Sequence, residues 1–285
     1  MSGFGDNKPF LGLYEKALPE NLDWEERLSL AHQAGYNFME LSIDVSDERL
    51  ERLNWDKIKR RKLKELAEDI EIPLLTMCLS ANRKFPIGSA YQELRNKGMK
   101  IMEDAIWLAF NMGIRIIQVA GYDVLMDEAS TDKTIETYLN NMKKSVGLAS
   151  KLGVVLAIEN VDIYSANSVE KIMYYVNKIK SPWLQIYPDI GNLSAMKLDI
   201  LKELKLGESH LAAIHIKDSI ENVFRRIPYG EGDVDFISAF KTLKKINFHG
   251  PLLLEMWADY GKDNFSIIMH AKDWISDKIN QAEYS

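Results

Sequence analysis

Cysteine is nearly absent from this chain of 285 residues, in which Cys78 is the only one. A single cysteine cannot form an intrachain disulfide, so nothing in the sequence supports an oxidising, secreted setting. Cys78 lies within the apolar run 74–79, and apolar surroundings raise the pKa of a thiol. We therefore predict a buried structural thiol and not a nucleophile.

Long apolar runs and an excess of positive charge are missing as well. No stretch reaches the roughly 18 apolar residues that a membrane-spanning helix needs. Residues 1–9 are polar and lack the apolar core of a secretory signal peptide. The net charge is -6, whereas nucleic-acid binding requires a clear excess of Lys and Arg on one face. We therefore expect a cytoplasmic protein with neither a membrane nor a nucleic-acid partner.

The chain does contain a regular alternation of short apolar runs and helical patterns. Most of the runs are apolar throughout, as expected for parallel strands that are buried on both faces. The predicted strands are 10–15, 38–43, 74–80, 116–121, 155–160, 184–187, 212–216 and 252–256. The predicted helices are 23–34, 54–70, 90–112, 131–151, 168–179, 195–206, 235–246 and 263–281. Eight such units predict an α/β fold, a single (β/α)8 TIM barrel domain over residues 1–285.

Residues typical of helix ends mark several of these units. Asn54 precedes the second helix, and Asp235 can cap the seventh. Asn167 with Glu170 resembles a capping box at the start of the fifth helix. Glycines between a helix and the next strand, where left-handed backbone favours this residue, are Gly35, Gly113 and Gly153. An open parallel sheet is the alternative fold, but no G-x-G-x-x-G pattern supports a dinucleotide site after the first strand.

Acidic side chains and one histidine stand at the ends of the last four predicted strands. Glu159 ends the fifth strand, Asp189 follows the sixth, His215 lies in the seventh and Glu255 ends the eighth. In such barrels the carboxyl ends of the strands meet at one rim and carry the catalytic groups. Any one of these acids alone could be a satisfied structural carboxylate. Together they predict a site for one divalent metal ion, because three carboxylates with one imidazole suit Zn, Mn, Co or Mg.

The remaining histidines do not join this pattern. Three of them fall in helices or a turn, and one precedes the seventh strand at the opposite rim. We expect surface or packing roles for these four residues, which are His32, His210, His249 and His270.

Five stretches carry a resemblance to a known family. They are 11–19 (LGLYEKALP), 77–81 (MCLSA), 187–195 (YPDIGNLSA), 215–218 (HIKD) and 255–257 (EMW). With them the sequence resembles the xylose isomerase-like barrels that include ketose 3-epimerases. More closely, it resembles the L-ribulose-5-phosphate 3-epimerases, also called L-xylulose-5-phosphate 3-epimerases, of L-ascorbate utilisation. The resemblance covers nearly the whole chain.

The resemblance implies an isomerase that inverts carbon 3 of a ketopentose 5-phosphate, a small sugar phosphate, through an enediolate. It implies that Glu159, Asp189, His215 and Glu255 bind the metal, and that Glu159 and Glu255 are also the acid and base. Relatives that act on free ketoses place a histidine where this chain has Asn192. This departure weakens any transfer of their substrate contacts but leaves the metal assignment unchanged.

A phosphate group needs cationic or amide donors at the same rim. Arg suits bidentate contact with phosphate, and Lys supplies a point charge. Gly230, Glu231 and Gly232 form too weak a glycine pattern for a phosphate loop. The candidate substrate-binding residues, each of which could equally be a loop or packing residue, are Tyr14, Ser80, Asn82, Arg83, Lys84, Asn192, Lys217, Arg225, Arg226 and Trp257.

Three other functions stay open on the same fold. An aldose–ketose isomerase acting on a hexulose 6-phosphate would also use a metal and an enediolate. A metal-dependent phosphoesterase or nuclease of the apurinic-endonuclease type would need a His-rich multi-metal cluster and a basic face. A non-catalytic carbohydrate-binding barrel would not need four intact ligands. Barrels of this kind often form homodimers through their outer helices, but no residue of this sequence identifies such an interface.

Overall fold

Eight parallel strands form a closed barrel in the computed structural model, which describes residues 9–284. The barrel strands are Leu11–Tyr14 (β1), Phe38–Ile43 (β2), Leu74–Leu79 (β3), Ile116–Ala120 (β4), Val155–Glu159 (β5), Leu184–Ile186 (β6), Ile214–Ile216 (β7) and Leu252–Leu254 (β10). A separate hairpin of Asp218–Ile220 (β8) and Val223–Ile227 (β9) lies between β7 and β10 in the chain. The order of the barrel strands is β6-β5-β4-β3-β2-β1-β10-β7. Parallel bridges from Ile186 to Leu211 and from Asp189 to His215 join the two ends. The predicted barrel is therefore confirmed, and the open-sheet alternative is wrong.

The helices pack around the outside of this barrel. Their bounds are Trp24–Gln33 (α1), Asp47–Glu51 (α2), Lys57–Asp69 (α3), Gln92–Met112 (α4), Asp132–Leu152 (α5), Val169–Ile179 (α6), Ile190–Ala195 (α7), Ile200–Leu206 (α8), Phe236–Lys245 (α9) and Asn264–Gln281 (α10). Within residues 9–284, no helix combines the length and the apolar character that crossing a membrane requires. The polar stretch 1–9 that entered the localisation prediction lies outside the described residues, except for Pro9.

Two predicted helix starts are off by one or two residues. The side chain of Asp56, not that of Asn54, caps α3 by accepting a hydrogen bond from the Lys59 amide. Ser168, not Asn167, caps α6, and the buried carboxylate of Glu203 accepts bonds from the first two amides of that helix. The capping box predicted with Glu170 is therefore wrong, because a distant carboxylate satisfies those donors instead.

The predicted helix 195–206 is also wrong in its extent. Asp189 caps a helix that begins directly after β6, so α7 covers residues that the sequence had placed in a loop. Lys197 then adopts a left-handed backbone with φ of 57°, which ends α7 before Asp199 caps α8. The other predicted end signals hold: Asp235 caps α9, and Gly35, Gly113 and Gly153 each have left-handed backbone.

The lower end of the barrel interior is filled by one aromatic ring. Phe38 is fully buried, and Phe10 stacks on it with ring centroids 5.2 Å apart. Gly12 on the neighbouring strand leaves the space for this ring, because a Cβ there would lie 2.2 Å from Phe38 Cζ. Toward the carboxyl-terminal rim, buried polar side chains on the barrel strands, among them Glu40, Thr76 and Gln118, lie among apolar ones.

Gly12→Ala and Gly147→Ala form a matched pair of glycine substitutions with opposite expected effects. The first overpacks the barrel interior and should lower the free energy of unfolding by about 1–3 kcal/mol. The second lies in α5 with no atom within 4 Å of the added Cβ, so it should raise that free energy by about 0.5–1 kcal/mol. Urea unfolding of both variants measures the difference. Equal stability of the two variants would contradict the packing of Phe38 against Gly12.

Candidate metal and substrate site

Four side chains converge at the rim where the barrel closes. One ligand atom from each of Glu159, Asp189, His215 and Glu255 lies within 4.8 Å of the others, and all four residues are buried. Glu159 is the last residue of β5, His215 is the centre of β7, and Glu255 directly follows β10. The sequence-predicted cluster is thus assembled in space by strands that are adjacent in the barrel.

Asp189 is held in place by two asparagines. Asn160 donates a hydrogen bond to the Asp189 carbonyl at 3.1 Å and accepts one from the Asp189 amide at 2.8 Å. The Asn192 side chain donates to the Asn160 carbonyl at 2.8 Å, and the His215 amide donates to the Pro188 carbonyl at 2.9 Å. The backbone that carries Asp189 is therefore tied to both neighbouring strands.

His215 lies between two carboxylates. Its Nδ1 is 3.0 Å from Glu159 Oε1, and its Nε2 is 3.1 Å from Glu40 Oε1. Burial lowers the pKa of His215, but Glu40 and Glu159 outweigh this effect and raise that pKa well above its ordinary value. The sequence analysis missed Glu40. The available signal was a lone acid in the middle of the apolar strand β2.

Lys217 bridges the other two acids. Its Nζ is 2.6 Å from Asp189 Oδ2 and 2.7 Å from Glu255 Oε2. Burial raises the pKa of Asp189 despite the opposing effect of Lys217, whereas Lys217 and His215 outweigh burial and lower the pKa of Glu255. One ammonium therefore stabilises one of these two buried carboxylates as an anion, and the second needs a further cation.

The donor set fits one divalent metal ion. Carboxylate oxygens and an imidazole nitrogen bind Zn at about 2.0–2.2 Å, so one ion spans ligand atoms up to about 4.4 Å apart. The observed limit of 4.8 Å requires only small side-chain shifts. The four residues could therefore hold such an ion, and its positive charge would balance the excess of carboxylates.

A cavity of about 210 Å³ opens above this cluster. The cluster supplies Glu159 and Glu255 to its wall. Trp257 stands against Tyr14 with ring centroids 6.4 Å apart and an interplanar angle of 87°. The sequence-predicted substrate residues that line the cavity are Tyr14, Ser80, Arg83, Asn192, Lys217, Arg225 and Trp257.

Three predicted substrate residues do not line this cavity. Asn82 is fully buried, and its amide atoms make no hydrogen bond within the described part of the chain. Lys84 lies 5.8 Å from the centre of the Phe85 ring. Arg226 instead lines a neighbouring cavity of about 640 Å³, which shares Trp257, Lys217 and Glu255 with the first.

The β8–β9 hairpin, which the sequence analysis treated as a loop, contributes to the cavity wall. Its two-residue turn is closed by pairing of Ile220 with Val223, and the second turn residue, Asn222, has a left-handed φ of 60°, which Asn adopts more readily than most residues. Arg225 lies 5.7 Å from the centre of the Trp257 ring. Arg226, the next residue, has a φ of 63°, and the two neighbouring arginines line different cavities.

Lys16 and Asp44 are further cavity residues that the sequence analysis missed. The two side chains form an ion pair. Burial raises the pKa of Asp44, but Lys16 and the Ser46 hydrogen bonds outweigh this effect and hold it at about 2. Both residues follow predicted strands, β1 and β2, and that position was the signal that could have identified them.

The backbone amides of the glycine pattern after the hairpin bind the buried carboxylate of Asp218. Asp218 accepts hydrogen bonds from the amides of Gly230 at 2.9 Å and Gly232 at 3.0 Å. A Cβ on Gly232 would lie 2.1 Å from Asp218 Oδ1. These amides are therefore occupied by Asp218, in agreement with the expectation that this segment is not a phosphate loop.

Cys78 is buried at the inner edge of the cavity. Burial and the nearby acids Glu40, Glu159 and Glu255 raise the pKa of its thiol. The predicted buried structural thiol is consistent with this setting, because a protonated thiol is a poor nucleophile.

Comparison with known proteins identifies the family. Residues 28–278 match the family model of xylose isomerase-like TIM barrels. The L-ribulose-5-phosphate 3-epimerases UlaE of Escherichia coli O157:H7 and Shigella sonnei are each 43% identical over 272 residues, covering 95% of this chain and 95% of each relative. The chain belongs to the family of xylose isomerase-like TIM barrels. The resemblance carried by the five sequence stretches is thereby confirmed, and so is the expectation of an enzyme of the isomerase class.

Solved structures support the same fold. The structure of an L-ribulose 3-epimerase superposes with a TM-score of 0.78 at 18% identity, covering 96% of this chain and 95% of that one. The D-allulose 3-epimerase of Methylomonas sp. in complex with D-allulose superposes with a TM-score of 0.79 at 16% identity, covering 95% and 97%. At such low identity these matches bear on the barrel alone.

Proposed function

We propose that this protein is a metal-dependent epimerase that interconverts L-ribulose 5-phosphate and L-xylulose 5-phosphate at carbon 3. The substrate is supported by the 43% identity to the UlaE relatives along 95% of the chain. The chemistry is supported by one observation above all: Glu159 and Glu255 belong to the same buried ligand group and face the same cavity. A nuclease is less well supported, because the one ligand group found in residues 9–284 contains a single histidine.

Epimerisation requires that a proton leave carbon 3 on one face and return on the other. A divalent cation held by Glu159, Asp189, His215 and Glu255 would act as a Lewis acid that stabilises the developing negative charge. Glu159 and Glu255 are the general base and acid, and they exchange these roles when the reaction runs in reverse. Gln118 donates a hydrogen bond to Glu159 and orients it. Lys217 does the same for Glu255.

The phosphate of the substrate lies toward Arg225 and Lys16 in this proposal. Arg225 is an exposed cavity residue that contacts the face of Trp257, so its guanidinium is available for a ligand. Lys16 shares its charge with Asp44, and Arg83 lies 3.9 Å from Asp162. Arg225 is therefore the cation with the weakest internal competition, and it is the best candidate for bidentate phosphate contact.

Deuterium exchange at carbon 3 tests the proposed reaction directly. Metal-reconstituted protein is incubated with L-ribulose 5-phosphate in deuterated water and followed by NMR. We expect deuterium at carbon 3 together with L-xylulose 5-phosphate, and loss of both after chelation of the metal. Exchange at carbon 1 with an aldose product would instead establish the isomerase. Absence of exchange with metal bound would overturn the substrate assignment.

The two glutamates have a separate test. Glu159→Gln and Glu255→Gln each keep a carbonyl oxygen for the metal but remove the proton-transfer group. We expect each to lower kcat by at least about 100-fold, the usual contribution of a positioned acid or base, with the metal content unchanged at saturating metal. Near-normal turnover of metal-loaded Glu255→Gln would show that the acid–base assignment is wrong.

Arg225→Ala and Arg226→Ala test the phosphate contact as neighbouring arginines that line different cavities. Loss of a charge-assisted hydrogen bond costs about 1.5–3 kcal/mol, so Arg225→Ala should lower kcat/KM about 10–100-fold. The same variant should retain its activity on unphosphorylated L-ribulose, if wild type has any. Arg226→Ala should change kcat/KM less than about threefold, as is typical for an exposed charge. Equal losses of kcat/KM in both variants would show that Arg225 does not bind the phosphate.

A further inference from the structure

We infer that Glu40 is a positioning residue for the metal site: it holds the His215 ring so that Nδ1, and not Nε2, is the metal ligand. This inference rests on the metal site of the proposed function and does not depend on the proposed substrate. Glu40 is not one of the four cluster residues. It lies in the middle of β2, across the barrel interior from β7.

The two ring nitrogens of His215 lie in different environments. Nδ1 faces the acid cluster, 3.0 Å from Glu159 Oε1, whereas Nε2 lies 3.1 Å from Glu40 Oε1 deeper in the barrel. Glu40 and His215 are fully buried, so water does not compete for this contact. An Nε2–H that donates to Glu40 leaves the Nδ1 lone pair directed toward the cluster.

Glu40 is itself held by two further buried groups. Its Oε2 accepts hydrogen bonds from Thr76 Oγ1 at 2.7 Å and from the Tyr187 hydroxyl at 3.2 Å. The Tyr187 ring also packs against the His215 ring, with centroids 4.4 Å apart. The carboxylate therefore has a defined orientation, and both of its oxygens have partners. A buried carboxylate that is so fully satisfied can act as a rigid acceptor for the imidazole.

The presence of Glu40 in the barrel interior is explained by its contact with His215 and not by packing. The interior of a barrel of this type is normally filled by branched apolar side chains, and a buried carboxylate is costly even when it is hydrogen-bonded. The only cluster residue that Glu40 contacts is His215. A carboxylate behind a metal-binding imidazole sets the tautomer and direction of the ring, and its loss typically lowers metal affinity about 10–100-fold.

Metal affinity of the full-length protein, measured by titration with Co²⁺ and its absorption spectrum, tests this role without reference to turnover. Glu40→Leu removes the acceptor at similar volume, so Co²⁺ should bind about 10–100-fold more weakly and with altered absorption bands. Glu40→Gln keeps an acceptor for Nε2–H and can still bond to both hydroxyls, so it should bind Co²⁺ within about fivefold of wild type. Glu203→Leu is the matched control, because Glu203 is a buried carboxylate outside the barrel strands whose hydrogen bonds, among residues 9–284, come from the first two α6 amides.

Two outcomes of the titration would overturn the inference. One is Glu40→Leu binding Co²⁺ within about threefold of wild type, and the other is Glu203→Leu weakening binding as much as Glu40→Leu does. Wild-type protein that binds no Co²⁺ would overturn the metal site itself, which separates failure of the proposed function from failure of this inference.

NMR of the wild type gives a second measurement if Glu40→Leu does not fold. In the Zn²⁺-loaded, ¹⁵N-histidine-labelled protein, the ring signals report which nitrogen of His215 carries the proton. We expect a protonated Nε2 and a metal-bound Nδ1. The opposite assignment would overturn the positioning role of Glu40.

Discussion

The convergence of three buried carboxylates on one small volume is the constraint on which the rest of this site depends. Glu159, Asp189 and Glu255 are each covered by the barrel, and like charges at such distances repel strongly where water is excluded. Lys217 and His215 supply only part of the compensating charge, since Lys217 must serve two acids at once. A divalent cation would resolve the imbalance, so the charge repulsion that makes the cluster costly in isolation would favour binding of a metal ion.

This charge balance extends into the barrel interior. Glu40, Thr76, Tyr187 and His215 form a connected polar column where other barrels have aliphatic layers. Replacing such a network with apolar residues often leaves stability unchanged or improves it. The column is therefore better explained by orientation of the imidazole than by stability, and apolar side chains, among them Phe38 and Leu253, pack beside it.

Sequence reasoning predicted a residue's place in the site correctly where that place follows from position on a single strand. Glu159 and Glu255 stand where apolar runs end, and such ends meet at one rim in any parallel barrel. Glu40 could not be found in this way, because its partner His215 is 175 residues away and the contact depends on which strands face each other. The different environments of Arg225 and Arg226 could not be predicted from the sequence either. They depend on the left-handed backbone of Arg226 within the hairpin, which no propensity of Arg predicts.

The two ends of the cavity are built from different kinds of structure, and this division matches the two tasks of the proposed reaction. The four cluster residues, which include both glutamates, lie on or beside strands that are hydrogen-bonded on both sides, which suits proton transfer because small displacements are costly there. Arg225 lies on the β8–β9 hairpin, and Lys16 lies in a short 3-10 helix after β1. Such segments tolerate sequence change without disturbing the barrel. In the proposed reaction, the strand residues therefore transfer the proton, and the residues outside the barrel strands bind the phosphate.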